Sequence, residues 1–249
     1  MEYVLSIILA KNDPWGNRRC LPVLTWLDSG IKWAKWGLSF ARCDIWSPDQ
    51  WHHMNLLIIN AHLTYPGWSE GKLNLIFMDA ANAFFIQRGH RVAETLVERG
   101  YDAQEEVEKH LAANVVILQM PVNWFGAPWI YKKYADEVFN AGLETKALLE
   151  GDGRSRTDPS RQYGSGGKMQ GRKFMISATW NAPREAYDNT SGELFGGKGT
   201  ADLFLNITSN YKFCGYEILP DYGVFDIFKN PDIPLALEDY RKHLEKYCL

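Results

Sequence analysis

From residue 55 to the C-terminus, short apolar runs alternate with longer stretches in which apolar residues recur at helical spacing. The runs at residues 56–60 and 114–121 are continuous and rich in branched side chains, which is typical of strands buried on both faces of a sheet. After the first run, one face of a predicted helix is formed by Leu73, Ile76, Phe77, Ala80 and Phe84.

The same criteria extend the alternation along the chain. Strands are predicted at residues 56–60, 91–97, 114–121 and 173–180, with a fifth inside 216–228. Helices are predicted between Gly71 and Gly89 and over residues 103–113, 127–140 and 235–247. This order predicts an α/β fold, a doubly wound, parallel five-stranded sheet with helices on both faces. Ligands of such sheets bind beyond the carboxyl ends of the strands, so the loops there are the expected site.

Residues 1–53 have a different character. They contain six of the ten tryptophans, and Pro, Gly and charged residues interrupt every apolar run. Clustered tryptophans can anchor a binding partner. The favoured interpretation is instead a poorly structured N-terminal extension that is not part of the functional protein, because residues 54–249 show a full set of elements by themselves.

The charge and composition narrow the class of protein. A net charge of −3 and a pI of about 6.1 do not favour nucleic acid or an anionic membrane as a partner. The apolar run at residues 3–10 is too short to span a bilayer and lacks a basic flank, so neither a signal peptide nor membrane insertion is predicted. The four cysteines are scattered, which predicts a cytoplasmic protein with reduced thiols and no metal site.

The loop after the first strand, residues 61–71, leads into a helix N-terminus. It offers the hydroxyls of Thr64 and Ser69 and the glycines Gly67 and Gly71. Backbone N–H groups and the helix dipole at such a position can hold a phosphate. No GxGxxG fingerprint is present, and an ordinary capped turn explains the same residues equally well.

Aromatic residues are concentrated in the loop after the third strand, residues 119–129. Trp124 and Phe125 stand there among Pro and Gly residues. Aromatic groups on rigid backbone can form a slot for a planar ring system, with backbone N–H groups directed at its polar edge. Rings that only cap the sheet are the alternative interpretation.

The loop after the fourth strand, residues 179–183, supplies hydrogen-bonding groups at the same expected edge. Thr179 and Asn181 carry polar side chains, and Trp180 adds a ring. Asn181 is also a suitable N-cap for a helix that begins near Pro183, and the two roles are compatible.

A long polar, glycine-rich segment at residues 151–171 precedes the fourth strand. Tyr163 is its lone large aromatic residue. Its cations, which can meet cofactor phosphates, are Arg154, Arg156, Arg161 and Lys168, with Arg172 just beyond. Loops of this length inside a domain are usually functional or mobile, and a solvated mobile loop is the alternative here.

No standard catalytic motif is present. The sequence contains no GxSxG elbow, no Walker A loop and no HExxH pair. His62 and His90 are isolated, and His110 is predicted to be solvated on a charged helix. Aromatic loops without a nucleophile or a metal motif favour chemistry carried by a cofactor.

Three long stretches are distinctive. They are QMPVNWFGAPWIYKKYADEVF at 119–139, DGRSRTDPSRQYGSGGKMQGRKFMISATWNAP at 152–183, and IFKNPDIPLALEDYRKHL at 227–244. These stretches resemble the modulator of drug activity B family of NAD(P)H:quinone reductases, which have a flavodoxin-like fold. The DT-diaphorase type is similar at a greater distance. The resemblance covers residues 54–249 and none of residues 1–53.

The resemblance implies FAD bound by three loops of a homodimer, with the active site at the subunit interface. It places the FAD phosphates and ribityl chain at Ser69, Glu70, Gly71, Lys72, Leu73 and Asn74. It places the isoalloxazine ring against the backbone of Val122, Asn123, Trp124 and Phe125. The polar edge of the ring is expected at Thr179, Trp180, Asn181 and Ala182. Tyr163 is expected near the flavin, where it would hydrogen-bond a quinone oxygen.

The implied activity is FAD-dependent two-electron reduction of quinones by NAD(P)H through a ping-pong hydride transfer. The basic segment at 151–171 favours NADPH as the donor. Two features depart from the family: Ala61 and His62 follow the first strand where Gly, a small residue and Lys are usual, and Leu75 and Ile76 replace a polar pair. The alternative is a flavodoxin-like electron carrier or flavin-bound interaction module without quinone turnover, and a cofactor-free structural protein is a third possibility.

Overall fold

The computed structural model describes residues 53–187, 191–192, 194–229 and 231–249, together with the backbone of residues 10–12 and 18–20. The chain divides into two compact units, Met1–His52 and His53–Leu249. In the first unit, strand β1 (Ala10–Asn12) pairs antiparallel with β2 (Arg18–Cys20). The tryptophans that suggested a partner-binding arm lie outside the described residues.

The second unit is an α/β domain in which strands and helices alternate. Its strands are β3 (Asn55–Asn60), β4 (Arg91–Leu96), β5 (Val115–Pro121), β6 (Lys173–Thr179), β7 (Glu217–Ile218) and β8 (Tyr222–Val224). Its helices are α1 (Lys72–Ile86), α2 (Ala103–Ala112), α3 (Trp129–Glu144), α4 (Thr200–Leu203), α5 (Leu205–Cys214) and α6 (Ile233–Cys248).

The strands of this domain form one parallel sheet in the order β4-β3-β5-β6, and β7 and β8 both pair with β6. The doubly wound prediction is therefore confirmed, with one correction. The single fifth strand predicted inside 216–228 is two short strands, β7 beside the start of β6 and β8 beside its end. Pro220 separates them, and because proline has no N–H it cannot continue the hydrogen-bonded ladder.

Both faces of the sheet are covered by helices. On one face, Leu56 and Ile58 of β3 belong to a buried cluster with Phe77 of α1 and Tyr240 of α6, whose rings lie 5.3 Å apart. On the opposite face, Phe174 of β6 stacks on a tyrosine of α5. Each large apolar side chain buried in this way contributes about 1.5–3 kcal/mol to folding.

His110 is buried, and the prediction that it is solvated was wrong. It lies on the inner face of α2, where Nδ1 is 3.0 Å from the hydroxyl of Tyr216 and Nε2 is 3.2 Å from that of Tyr134. Glu106, one turn earlier, is also buried and accepts hydrogen bonds from Thr95 and Tyr134. The buried face of α2 is partly polar, so a criterion based on apolar spacing assigned it to solvent.

Helices α4 and α5 were missed by the sequence pattern. Helix α5 contains Asn, Thr, Ser and aromatic residues, which have modest helix propensity. Its buried residues, Ile207, Tyr211 and Cys214, nevertheless recur at helical spacing. Among the described residues, no helix has both the length and the apolar character that a membrane span requires.

Candidate functional site

Two adjoining grooves lie at the carboxyl edge of the sheet, where the loops after β3, β5 and β6 meet. The first has a volume of ≈ 450 Å³ and is lined by Gly67, Trp68, Ser69, Glu70, Gly71, Lys72, Leu73, Asn74, Pro121, Thr179, Ile227 and Phe228. The second has a volume of ≈ 330 Å³ and is lined by Tyr65, Trp68, Ser69, Pro121, Val122, Asn123, Trp124, Thr179, Asn181, Ile227 and Phe228. The six residues they share make them one continuous site.

The loop after β3 is folded into a tight hairpin beside this site. Tyr65 and Ser69 exchange backbone hydrogen bonds of 2.8 and 2.9 Å, and the rings of Tyr65 and Trp68 stack at 4.7 Å. Thr64 donates its backbone N–H and its hydroxyl to the carboxylate of Glu98, at 2.9 and 2.8 Å. The hairpin is thereby tied to the segment that follows β4, which keeps its backbone in place at the groove.

Gly71 ends this loop and begins α1. Its φ of +76° lies in the left-handed region, and a Cβ built on it would lie 2.3 Å from Cδ2 of His62. Only glycine therefore fits this position without displacing the imidazole. Helix α1 has no side-chain cap, so the N–H groups of its first turn remain free for an anion at the groove. The phosphate-cradle interpretation of the loop fits these features.

His62 is one of the two residues, with Ala61, by which this loop departs from the expected family pattern. Its side chain is buried beneath Gly71, and neither ring nitrogen has a hydrogen-bond partner within the described part of the chain. Burial lowers the pKa of its imidazole, and the Glu98 carboxylate opposes that effect. Because it lies directly beneath Gly71, the ring acts as a spacer under the loop.

Glu70 and Lys72 form an ion pair at the mouth of the first groove. Their side chains are exposed, and the Lys72 ammonium lies 2.5 Å from the Glu70 carboxylate. Hydrogen bonding between them lowers the pKa of Glu70 and raises that of Lys72. Exposed pairs of this kind contribute little to stability, so both charges are available to a ligand.

The loop after β5 contains a strained turn. Trp124 and Phe125 have φ values of +49° and +67°, and Asn123 and Gly126 close the turn with backbone hydrogen bonds of 2.9 and 3.1 Å. Left-handed backbone is unfavourable for large aromatic residues and is often found at functional sites. The ring of Trp124 is 93% exposed, and Phe125 packs edge-on against Phe195. Val122, Asn123 and Trp124 line the second groove, whereas Phe125 lines neither.

The loop after β6 contributes Thr179 and Asn181 to the site, but not the ring of Trp180. That ring is 1% exposed and packs on Phe204 and Phe225 at 5.1 and 5.5 Å. It therefore supports the loop from inside the domain. Trp180 lines neither groove, and its backbone N–H and carbonyl pair with Val224 and Ile227. Ala182 does not line the grooves, and its carbonyl accepts the N–H of Asp226.

Three buried polar side chains form the floor between the loops. Gln119 of β5 donates to the Oδ1 atom of Asn74 at 2.9 Å, and Asn74 donates to Oγ1 of Thr179 at 3.4 Å. Asn74 and Thr179 were predicted from sequence, and Gln119 was not. Gln119 lies inside a continuous buried strand, and the pattern of such a strand does not show whether a buried polar side chain has a role in a binding site.

Tyr163 lies away from the grooves. It is 70% exposed, packs on Phe213 near the C-terminal end of α5, and has the Arg154 guanidinium 5.6 Å from its ring centre. Residues 151–172 lead into the start of β6 at Lys173, whereas the grooves lie at its end. A seven-residue strand spans about 20 Å. The structure therefore does not bring Tyr163 and the other predicted site residues together within one chain.

Six groove residues were not among the predicted site residues. They are Tyr65, Gly67, Trp68, Pro121, Ile227 and Phe228, which line the site beside the predicted ones. Phe228 is largely exposed, and it follows β8 at the same carboxyl edge. In the described part of the chain, no group of three or more His, Cys, Asp or Glu side chains could hold a metal ion. The lining combines aromatic rings, backbone amides and few charges, which suits a planar ligand that carries a phosphate.

Comparison with known proteins places this geometry in context. The sequence model of the flavodoxin-like fold family matches residues 54–248. The chain is 42% identical over 191 residues to an uncharacterized protein of Schizosaccharomyces pombe, covering 77% of this chain and 95% of that protein. It is 40% identical over 193 residues to the NADPH:quinone oxidoreductase MdaB of Haemophilus influenzae, covering 78% and 98% respectively.

The fold also resembles that of a solved structure. A putative quinone reductase from Klebsiella pneumoniae superposes with a TM-score of 0.61 at 22% identity, covering 78% of this chain and 83% of that one. At that identity the likeness concerns the fold alone. The family match begins at residue 54, so residues 1–53 lie outside it.

Proposed function

We propose a function that starts from the family of this chain. The chain belongs to the flavodoxin-like fold family, and its 40% identity to MdaB places it in the modulator of drug activity B group. On this premise the protein is a flavin-dependent NAD(P)H:quinone oxidoreductase. The relative's activity is known by its name, NADPH:quinone oxidoreductase, and the alignment covers nearly all of that protein.

The observation that carries the proposal is the convergence of three features at one carboxyl edge. The first feature is the N-terminus of α1, which has no side-chain cap and follows Ser69 and Gly71. The second is the strained turn that contains Trp124, and the third is the buried hydroxyl group of Thr179. A phosphate, a planar ring and a polar ring edge need those three environments respectively. A flavin nucleotide combines all three groups in one molecule.

This chain's residues would hold the flavin as follows. The first turn of α1 and Ser69 would bind phosphate, and the backbone of residues 122–124 would lie along the ring. Thr179 and Asn181 would face polar ring atoms. We propose FAD rather than FMN on the strength of the resemblance to the drug-activity family. One structure of similar fold, a general stress protein of Treponema denticola, contains FMN, so the identity of the nucleotide is an explicit part of the test.

A bound flavin would supply two-electron redox chemistry that no side chain provides. The chain's contribution would be to orient the ring, to exclude water with the Trp68, Trp124 and Phe228 rings, and to offer backbone and hydroxyl donors to developing charge. NAD(P)H and the quinone would use the same groove in turn, in a ping-pong order. NADPH is the proposed donor because residues 151–171 are basic.

A homodimer is part of the proposal because of Tyr163. It lies at the edge of the sheet opposite the grooves, so it can approach a flavin only when it belongs to a partner subunit. Its exposed ring and the nearby Arg154 side chain would then complete the groove of the other protomer. Light scattering of the flavin-loaded protein should give twice the chain mass, and a flavin-loaded monomer with full quinone reductase activity would contradict this arrangement.

We further propose that the protein acts in the cytoplasm. Cys214 and Cys248 are free and buried, which is compatible with a reducing compartment. Fractionation of cells that express the full chain tests this, and recovery with a membrane or secreted fraction would contradict it.

Cofactor identity tests the proposal first. The purified full chain is denatured, and the released chromophore is separated and identified by mass as FAD, FMN or neither. FAD supports the proposal as stated, and FMN supports a flavin enzyme with the other nucleotide. A protein that contains neither and takes up neither when they are added would overturn the flavin site.

The rival function is a flavin-bound electron carrier without quinone turnover. It predicts a protein that holds flavin but shows no saturable dependence of NADPH oxidation on quinone concentration. The 40% identity to an NADPH:quinone oxidoreductase over 98% of that relative favours an enzyme. Steady-state kinetics with two varied substrates separates the two functions, since parallel double-reciprocal lines indicate a ping-pong order.

A further inference from the structure

The buried amide of Gln119 has an unusual environment. The side chain is fully buried in β5, and its Nε2 atom donates to Asn74 at 2.9 Å. Its Oε1 atom is buried without a hydrogen-bond partner in the described part of the chain. An unpaired buried acceptor is costly, and an apolar residue of similar length would avoid that cost. Packing alone therefore does not explain why a glutamine occupies position 119.

The placement of the two side-chain amides gives the direction of the hydrogen bonds that start at Gln119. Because Gln119 donates to Oδ1 of Asn74, the Asn74 side chain is oriented with its amide nitrogen toward Thr179. Asn74 then donates to Oγ1 of Thr179, which accepts on a lone pair. The hydroxyl hydrogen of Thr179 is consequently left to donate elsewhere, and Thr179 lines both grooves.

We infer that Gln119 is a positioning residue for the flavin site: through Asn74 it holds the Thr179 hydroxyl as a hydrogen-bond donor toward the ligand. This inference rests on the proposed function. It names a residue that touches no groove itself but links α1, β5 and β6 beneath the ligand. It assigns the direction of the Thr179 hydrogen bond, which would face an acceptor atom on the bound flavin.

The test uses flavin-free full-length protein and measures the dissociation constant for added FAD, the shape of the bound flavin's visible absorbance bands, and the thermal midpoint of the flavin-free chain. Gln119→Met keeps the length of the side chain and removes the amide. Loss of one oriented hydrogen bond should weaken FAD binding about fivefold and shift the absorbance bands. Met120→Leu, at the next and equally buried position of β5, is the matched control and should change binding less than about twofold.

A double-mutant cycle with Thr179→Val distinguishes positioning from general loosening. If Gln119 acts through Thr179, Gln119→Met should add less than about twofold to the effect of Thr179→Val. Full additivity would overturn the inference, and so would a Gln119→Met variant that binds FAD like the wild type while only its thermal midpoint falls.

A second variant covers the case in which Gln119→Met does not fold. In Gln119→Glu, a protonated acid can still donate to Asn74 and an ionised one cannot. FAD binding relative to the wild type should therefore weaken as the pH rises through the pKa of the introduced carboxyl group, which burial raises and which is located from the pH dependence of the variant's thermal midpoint. FAD binding that stays unchanged across that pKa would overturn the inference. Failure of the proposed function is distinguishable, because the wild-type chain itself would then bind no flavin.

Discussion

Replacing Gly71 with alanine should disrupt the first loop more than the same change at Gly171. The two glycines have φ values of +76° and +78°, so an alanine is strained by left-handed backbone at both positions, at a cost of about 1–2 kcal/mol. Only at Gly71 would the new methyl group meet a neighbour, Cδ2 of His62 at 2.3 Å. At Gly171 nothing lies within 4 Å.

The difference between the two variants measures the contact with His62. Overpacking of this kind costs about 1–3 kcal/mol, so Gly71→Ala should lower the free energy of unfolding by about 2–5 kcal/mol in total. Gly171→Ala should lower it by about 1–2 kcal/mol. Urea unfolding of the flavin-free protein measures both values. His62→Ala in the Gly71→Ala background removes the clash, so the double variant should lose less than the sum of the single variants.

Equal losses at the two glycines would refute the steric argument, since the His62 contact would then contribute nothing. Flavin affinity gives an independent reading of the same change. If more than 1.4 kcal/mol is needed to return the displaced loop to its binding conformation, Gly71→Ala should bind flavin at least about tenfold more weakly than the wild type. Gly171→Ala, remote from the grooves, should stay within about twofold of the wild type.

Three further predictions concern the rest of the domain. Burial lowers the pKa of His110 to about 3, so the imidazole is neutral in the folded protein and takes up a proton on unfolding below pH 6.5. The free energy of unfolding of the wild type should therefore fall, relative to that of His110→Gln, by about 1.4 kcal/mol per pH unit from pH 6.5 toward 3. Parallel stability curves for the two proteins would contradict this. Lys109→Met leaves the Glu106 carboxylate buried without its cation and should lower the free energy of unfolding by about 3 kcal/mol. Lys132→Met breaks an exposed ion pair and should lower it by less than about 0.5 kcal/mol. Equal losses in the two variants would be inconsistent with the burial of Glu106. Trp124→Asn should raise the free energy of unfolding by up to about 1 kcal/mol, because asparagine tolerates left-handed backbone, and a loss of similar size would show that packing holds the ring.

The strands and their loops could be predicted because their signals are local. Continuous apolar runs such as residues 114–121 appear wherever both faces of a sheet are covered, and the carboxyl ends of parallel strands meet at one edge by geometry. Ser69, Asn123 and Thr179 could therefore be assigned to one site before any coordinates. The broken fifth strand was less accessible, because two strands of two and three residues carry almost no periodicity.

Side-chain direction could not be predicted in the same way. Trp180 follows β6 at the correct edge, but its ring turns into the interior between Phe204 and Phe225, which lie far apart in sequence. His110 and Gln119 are polar residues on buried faces, and a binary pattern of apolar and polar positions cannot identify their partners. These positions depend on tertiary contacts, which sequence spacing does not contain.

Tyr163 shows a different limit of the sequence. Its stretch at 152–183 resembles a flavin-enzyme family, yet the residue lies one strand length away from the groove of its own chain. A resemblance in sequence assigns a role to a residue position. It does not show whether the residue acts in the groove of its own chain or in the groove of a partner subunit. The proposal of a shared active site follows from this placement, and it is tested by the mass of the flavin-loaded protein.

The most direct test of the central claim is an anaerobic absorbance titration of the purified chain with NADPH and then menadione. We expect flavin bands at ~450 nm that bleach with a stoichiometric amount of NADPH and return with an equal amount of menadione. A chain that takes up neither FAD nor FMN would contradict the flavin site. Bands that bleach and do not return with the quinone would contradict quinone reduction.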